Sequence, residues 1–274
     1  MMPRILRSGG WYLGMAVVSV ALLLPFFWMI STSFKSRGAL MALPVQWIPE
    51  EPSLEGYLRV FELVPFFQAM VNTAFVAVAT TLISLGSASM AAFAFAKEEF
   101  RGKGLAFGGF MATMMVPLQV TTIPLFILMS KVGLVGTFGG LLLPALFNAF
   151  AVFMLKQHFE TIPEDYLDAA TIDGAGRWRI FWSIVLPMSQ PIVAALVIIL
   201  FMSAWNDYFW PLVILTDPGK ATLTLVLSQL NGQYATRYNI LMAGSLLSMA
   251  PILVIYALAQ KYFRTGLQLG GIKG

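Results

Sequence analysis

Cysteine is absent from the 274-residue chain, and histidine occurs once, at His158. Without cysteine there is no disulfide, no thiolate metal ligand and no thiol chemistry. One histidine builds no histidine-based metal centre, and no metal site is expected. Charge is scarce too. Charged residues make up 11% of the chain, against about 25% in ordinary soluble domains. No G-x-x-x-x-G-K-[S/T] run occurs, so the chain does not hydrolyse ATP through a P-loop of its own. No H-E-x-x-H occurs either, and no long internal repeat is evident. The net charge of +4 comes with no basic run interleaved with aromatics, so it does not point to nucleic acid.

What fills the chain is apolar. Hydrophobic residues make up 58% and the mean hydropathy is +0.79, which predicts an integral membrane protein. A helical span needs about 20 apolar residues. Six stretches qualify, at about 11–34, 68–96, 105–130, 137–156, 188–213 and 239–262. The first follows Arg4 and Arg7 and is longer than the apolar core of a signal peptide, so it reads as a retained span. The expected fold class is all-α: six transmembrane helices forming a single domain over 1–274.

Lys and Arg set the orientation. With the N-terminus inside, the cytoplasm receives most of the 17, namely Arg4, Arg7, Lys97, Arg101, Lys103, Lys156, Arg177, Arg179, Lys261, Arg264 and Lys273. The outside receives Lys35, Arg37, Arg59, Lys131, Lys220 and Arg237. The excess predicts a multi-pass protein with both termini and the 157–187 loop cytoplasmic.

That loop is the most polar long stretch. Thr161 and Glu164 have capping-box spacing, and Pro163 suits a first helical turn. Glu164 and Asp165 put negative charge at the positive helix end. Tyr166, Ala169, Ala170 and Thr171 offer a face of mostly small side chains. Gly174 permits a left-handed turn. A second helix should place Trp178, Phe181, Trp182 and Val185 on one side and stop at Pro187. Asp165, Asp168 and Asp173 suit caps and partner contacts better than a metal cluster. A helix-turn-helix with a flat face fits docking into a groove on a soluble partner. An ordinary amphipathic connector fits the same residues.

Within the spans, the run from Ala77 to Ala92 is rich in Ala, Thr, Ser and Gly. Small residues let helices approach in lipid, so this span belongs inside a bundle. Pro117 and Pro124 should bend the third span, and Pro144 the fourth. Asp207 is the one expensive group, in Ser203-Ala-Trp-Asn-Asp-Tyr-Phe-Trp-Pro211; a carboxylate near the bilayer centre costs about 2.5–3.5 kcal/mol on insertion scales. Trp205, Asn206, Asp207 and Tyr208 together suit a sugar, with amide and carboxylate for hydroxyls and rings for the C–H face. A belt at the outer interface is the competing reading.

Asp168-Ala169-Ala170-x-x-Asp173-Gly174-Ala175, followed by Leu186-Pro187, resembles the cytoplasmic "EAA" loop of permease subunits in ATP-binding-cassette importers, with Asp168 where that family carries Glu. The 205–211 segment and the glycine-rich tail with Gly270, Gly271 and Lys273 resemble the carbohydrate permeases of the maltose, multiple-sugar and glycerol-phosphate type. The resemblance implies a coupling role for Asp168, Ala169, Ala170, Asp173, Gly174, Ala175, Leu186 and Pro187. It implies a substrate path at Trp205–Tyr208 and a tail contact to the ATPase at Gly270, Gly271 and Lys273. It also implies the partners: an ATPase dimer that binds ATP and Mg, a second related permease forming the other half of the pathway, a periplasmic or extracellular solute-binding protein, and membrane lipid. The location implied is a bacterial or archaeal cytoplasmic (inner) membrane, and the cargo a sugar. This chain itself would hold no cofactor. Two other readings compete: a stand-alone secondary transporter driven by protons through Asp207, and an intramembrane enzyme, for which the spans lack a second titratable group.

Overall fold

The structure is a computed structural model that describes residues 4–233 and 237–269, with side chains at 11–231 and 237–257. Helices account for every regular element among them. Four helices are long and apolar enough to cross a membrane: Trp11–Ser33, Phe66–Lys97, Phe138–Glu160 and Tyr238–Ala257. Two broken pairs bring the number of spans to six: Lys103–Met115 with Leu118–Lys131, bent by 105°, and Arg177–Met188 with Gln190–Trp205, bent by 80°. The six-span, all-helical expectation holds.

The chain divides into two units, Met1–Phe67 with Val226–Pro251, and Gln68–Leu225 with the residues from Ile252 on. In the first, the end of the opening span is pinned by polar groups. Ser33 Oγ meets Tyr57 Oη at 2.9 Å, Ser53 N–H donates to Phe34 O, and Asn239 Nδ2 donates to Lys35 O at 3.0 Å. Gly56 fits there because a Cβ would stand 2.9 Å from Asn239 O and 3.0 Å from Ser33 O.

In the second unit the Ala/Thr/Ser-rich span lies where its composition predicts. Ala77, Thr81, Ser84, Ala88 and Ala92 are buried along one stripe, three or four residues apart, as one helix face requires. Ser84 Oγ donates to Ala145 O at 2.8 Å, a hydroxyl bridge between helices of the kind lipid favours. One core joins Ala88, Ala92 and Phe93 to Val152, Leu155 and Phe159 and to Leu196 and Leu200. A second gathers Val76, Met129, Leu141, Trp210 and Ile214.

The prolines divide in their effect. Pro117 is extended (φ −61°, ψ 140°) and caps Leu118–Lys131, and Val116 before it is extended as well, as a residue preceding proline prefers. Pro124 lies inside that helix without breaking it. Pro144 sits in a 3-10 turn, Leu143–Leu146, after which Asn148 caps Ala149–Glu160.

Candidate functional site

Residues 161–187 form the helix-turn-helix that their spacing predicts, with three differences. The capping box does not form. Pro163 is the N-cap of Glu164–Ile172 and provides no side-chain cap, while Thr161 Oγ1 donates back to His158 O at 2.7 Å. Glu164 therefore starts the helix instead of closing a box, and its carboxylate is taken by Lys97. The second helix does not stop at Pro187. It runs from Arg177 through a π-helical stretch, Phe181–Val185, and ends after Met188. Proline costs little there because it stands in the first turn of the segment after the π-helix. The four large residues of that helix also split. Phe181 and Val185 are buried, whereas Trp178 and Trp182 are exposed.

Gly174 ends the first helix at φ +79°. Ala175 N–H donates to Ala170 O at 2.9 Å and Gly174 N–H to Thr171 O at 3.0 Å. These are the two bonds of a Schellman motif, which needs a left-handed residue at this position. Ala170 and Ala175 each pack against the buried core.

The elbow has a rooted side and an open side. Leu167, Ile180, Phe181 and Val185 belong to the same core as the second, fourth and fifth spans. Asp168, Ala169, Thr171, Ile172, Asp173 and Gly174 face outward, and Ile172 is 86% exposed. Leu186 is half-buried and Pro187 exposed. Lys97, the last residue of the second span, ties the rooted side down. Its Nζ donates to Glu164 Oε1 at 2.6 Å and to Ile162 O at 2.8 Å. Sequence reading used Lys97 only for orientation; its position as a lone cation closing an apolar run was the available signal. Arg177 Nε adds a looser ion pair with Glu98 at 3.4 Å.

The second group of residues does not lie in the middle of a span. Gln190–Trp205 ends at Asn206, and a short helix, Phe209–Ile214, begins after a break. Asp207 stands in that break. Its Oδ1 accepts from Trp210 N–H at 3.4 Å, and its carbonyl accepts from Thr224 Oγ1 at 2.7 Å. Asp207 lines a cavity of about 270 Å³ with Thr80, Asn148, Ser203 and Trp210. The other three candidates do not line it. Trp205 is buried and stacked on Phe201, Asn206 Nδ2 donates to Met202 O, and Tyr208 is exposed. Thr80, Asn148 and Ser203 escaped the sequence reading; isolated hydroxyls and amides in apolar runs were the only trace. Gly270, Gly271 and Lys273 lie outside the described residues.

A family model described as "Binding-protein-dependent transport system inner membrane component" matches residues 84–268. The arabinooligosaccharides transport system permease protein AraQ of Halalkalibacterium halodurans is 32% identical over 265 residues, 96% of this chain and 95% of that protein. The sn-glycerol-3-phosphate transport system permease protein UgpE of Shigella flexneri is 31% identical over 263 residues, 93% and 92% of the two chains. Among solved structures, a chain of a bacterial ABC transporter involved in the import of the acidic polysaccharide alginate superposes with a TM-score of 0.84 at 27% identity, covering 95% of this chain and 97% of that one.

Proposed function

The chain belongs to the family of binding-protein-dependent transport system inner membrane components, and on that premise we propose how its parts divide the work of uptake. It is the membrane-spanning subunit of an ATP-driven importer for sugars or related polyols and glycerol phosphate. Family membership favours this reading over a stand-alone carrier driven through Asp207. The whole chain, 1–274, acts as one permease with both termini in the cytoplasm. A second related permease completes the pathway, a pair of ATPase subunits binds ATP and Mg, and a solute-binding protein delivers cargo from outside.

The observation that carries the coupling role is the two-sided elbow. An outward face bearing Asp168, Ala169, Asp173 and Gly174 is seated by the ATPase. The inward face, through Leu167, Ile180, Phe181 and Val185, is packed into the same core as the spans. Closure of the ATPase pair pushes the outward face, and a close-packed core passes the displacement to the spans with little loss. The short helix ending at Met188 and the break at Ser189 give the fifth span a place to swing. The tail residues Gly270, Gly271 and Lys273 reach toward the same ATPase.

Cargo passes the cavity at Asp207. Its carboxylate, the Asn148 amide and the hydroxyls of Thr80 and Ser203 take the hydrogen bonds of sugar hydroxyls, beside the ring of Trp210. Reconstitution with the partner subunits tests the reading. ATP hydrolysis should rise when the loaded binding protein is added, and uptake should require ATP. Uptake that persists without ATP and collapses with an uncoupler would overturn it.

A further inference from the structure

A second cavity, of about 350 Å³, opens at the end of the opening span within the first unit, and no part of the transport reading uses it. Its wall includes Trp28, Thr32, Lys35, Gln46 and Tyr238. Lys35 is 3% exposed, and among the described residues no carboxylate pairs with it and no acceptor takes a hydrogen bond from its Nζ. Its ammonium instead rests over the Trp28 ring, 4.1 Å from the centroid. Burial without an anion holds the Lys35 ammonium below the ordinary lysine range. Beside it, Thr32 is also 3% exposed, and its Oγ1 has no hydrogen-bond partner among the described residues. Gln46 spends one N–H on Glu50 and keeps another. Asn239 holds the Lys35 carbonyl, and the Trp28 ring holds the ammonium.

A buried hydroxyl left unsatisfied and a lysine ammonium with only a ring beside it are costly on one wall. A cation, a hydroxyl and an amide converging on one cavity form a donor set for an anion. The cavity size falls within the range of small-molecule sites. Its place matters too. The helix from Trp11 to Ser33 is apolar and is exposed from Trp11 to Phe27, and Trp28 and Thr32 are in its last turns, where a membrane span meets the headgroup layer. The rest of the wall is apolar, with Leu40, Val45 and Met242, which suits an amphiphile.

We propose that this cavity receives a phosphate group, with Lys35 supplying the charge, Thr32 and Gln46 the hydrogen bonds, and Trp28 and Tyr238 the walls. The phosphate comes from a phospholipid headgroup or from solution. The inference rests on the reading of Trp11–Ser33 as a membrane span, not on the cargo or the ATPase.

The test uses the transporter assembled with its partner subunits, purified in detergent and stripped of lipid. Three probes are added separately: phosphatidylglycerol, inorganic phosphate, and diacylglycerol as the phosphate-free control. Binding is read by native mass spectrometry and by the shift in Tm. Phosphatidylglycerol, inorganic phosphate or both should bind, and diacylglycerol should not. Binding by the lipid alone assigns a headgroup, and binding by inorganic phosphate alone assigns a soluble anion. Lys35→Gln should weaken binding roughly tenfold or more, the usual loss for one charge-assisted hydrogen bond. Lys35→Arg should retain binding and Thr32→Val should weaken it. Failure of both phosphate probes, or unchanged binding by Lys35→Gln, would overturn the proposal. Neither outcome touches ATP-driven uptake, which the same preparation measures separately.

Discussion

The Lys97 ammonium and the Glu164 carboxylate meet at 2.6 Å, with the lysine side chain 2% exposed and the glutamate 64% exposed. A buried cation at the end of the second span is thereby locked to the first turn of the outward-facing elbow. The negative helix end of Phe66–Lys97 and the Ile162 carbonyl both favour the charge. The pair is asymmetric, and its two halves should respond differently to substitution.

Lys97→Met removes the buried charge together with two hydrogen bonds and leaves the Ile162 carbonyl without its donor. The expected cost is about 1.5–3 kcal/mol, the range for a charge-assisted bond, and it should fall on the seating of the elbow. Glu164→Gln loses an exposed partner and should cost under about 1 kcal/mol. Uptake by the assembled transporter should drop well below half for Lys97→Met and stay near normal for Glu164→Gln. Equal losses from the two variants would show that the pair does not act by anchoring.

Gly174 and Ala169 separate geometry from docking. A Cβ at Gly174 meets nothing within 4 Å, but φ is +79°, so Gly174→Ala costs about 1–2 kcal/mol in backbone strain. Asn tolerates that region better, so Gly174→Asn should recover much of the loss. Ala169 is exposed, so Ala169→Asp should leave Tm within about 1 °C while uptake and binding-protein-stimulated ATP hydrolysis both fail. Gly174→Asp should lose uptake as well while the protein stays in the membrane. Normal uptake by Ala169→Asp would remove the ATPase from this face.

These residues also show how far the sequence reached. Gly174 needed its glycine for a reason visible in the letters, because Asp-Gly after a helical run is a left-handed stop. The small-residue stripe from Ala77 to Ala92 was legible for the same kind of reason: composition and period agree. The Thr161–Glu164 box was legible and did not form, because Lys97, 67 residues away in sequence from Glu164, competed for the carboxylate. The continuous fifth span failed differently. Hydropathy sums over 188–213 do not register that Asn206 ends one helix and that Asp207 stands in the break before the next. The cavity at Asp207 takes Thr80, Asn148 and Ser203 from separate spans, and only packing brings them together.

Asp207 distinguishes the transport mechanisms. Asp207→Asn keeps an oxygen for the Trp210 N–H and removes the charge. As part of a sugar path, it should raise the substrate concentration for half-maximal uptake by roughly tenfold, about 1.4 kcal/mol, leave basal ATP hydrolysis unchanged and leave uptake insensitive to an uncoupler. Complete loss of uptake together with uncoupler sensitivity of the parent would instead assign Asp207 to proton coupling.

Lys35 predicts a pH effect on stability in the absence of any anion. Its folded-state pKa lies below the ordinary 10.5 because of burial, so the charged form is penalised in the fold and not in the unfolded chain. That penalty is complete at pH values below the folded pKa. It is relieved as pH rises through the folded pKa toward 10.5, where the folded state gives up its proton first. Lys35→Met should therefore raise Tm at neutral pH in lipid-stripped transporter, and its advantage over the parent should shrink as pH climbs toward 10. Adding the anion that the cavity holds should reverse the order, because the parent gains binding energy that the variant lacks. A variant that melts lower than the parent at neutral pH, with no anion present, would show that Lys35 is already compensated within the fold.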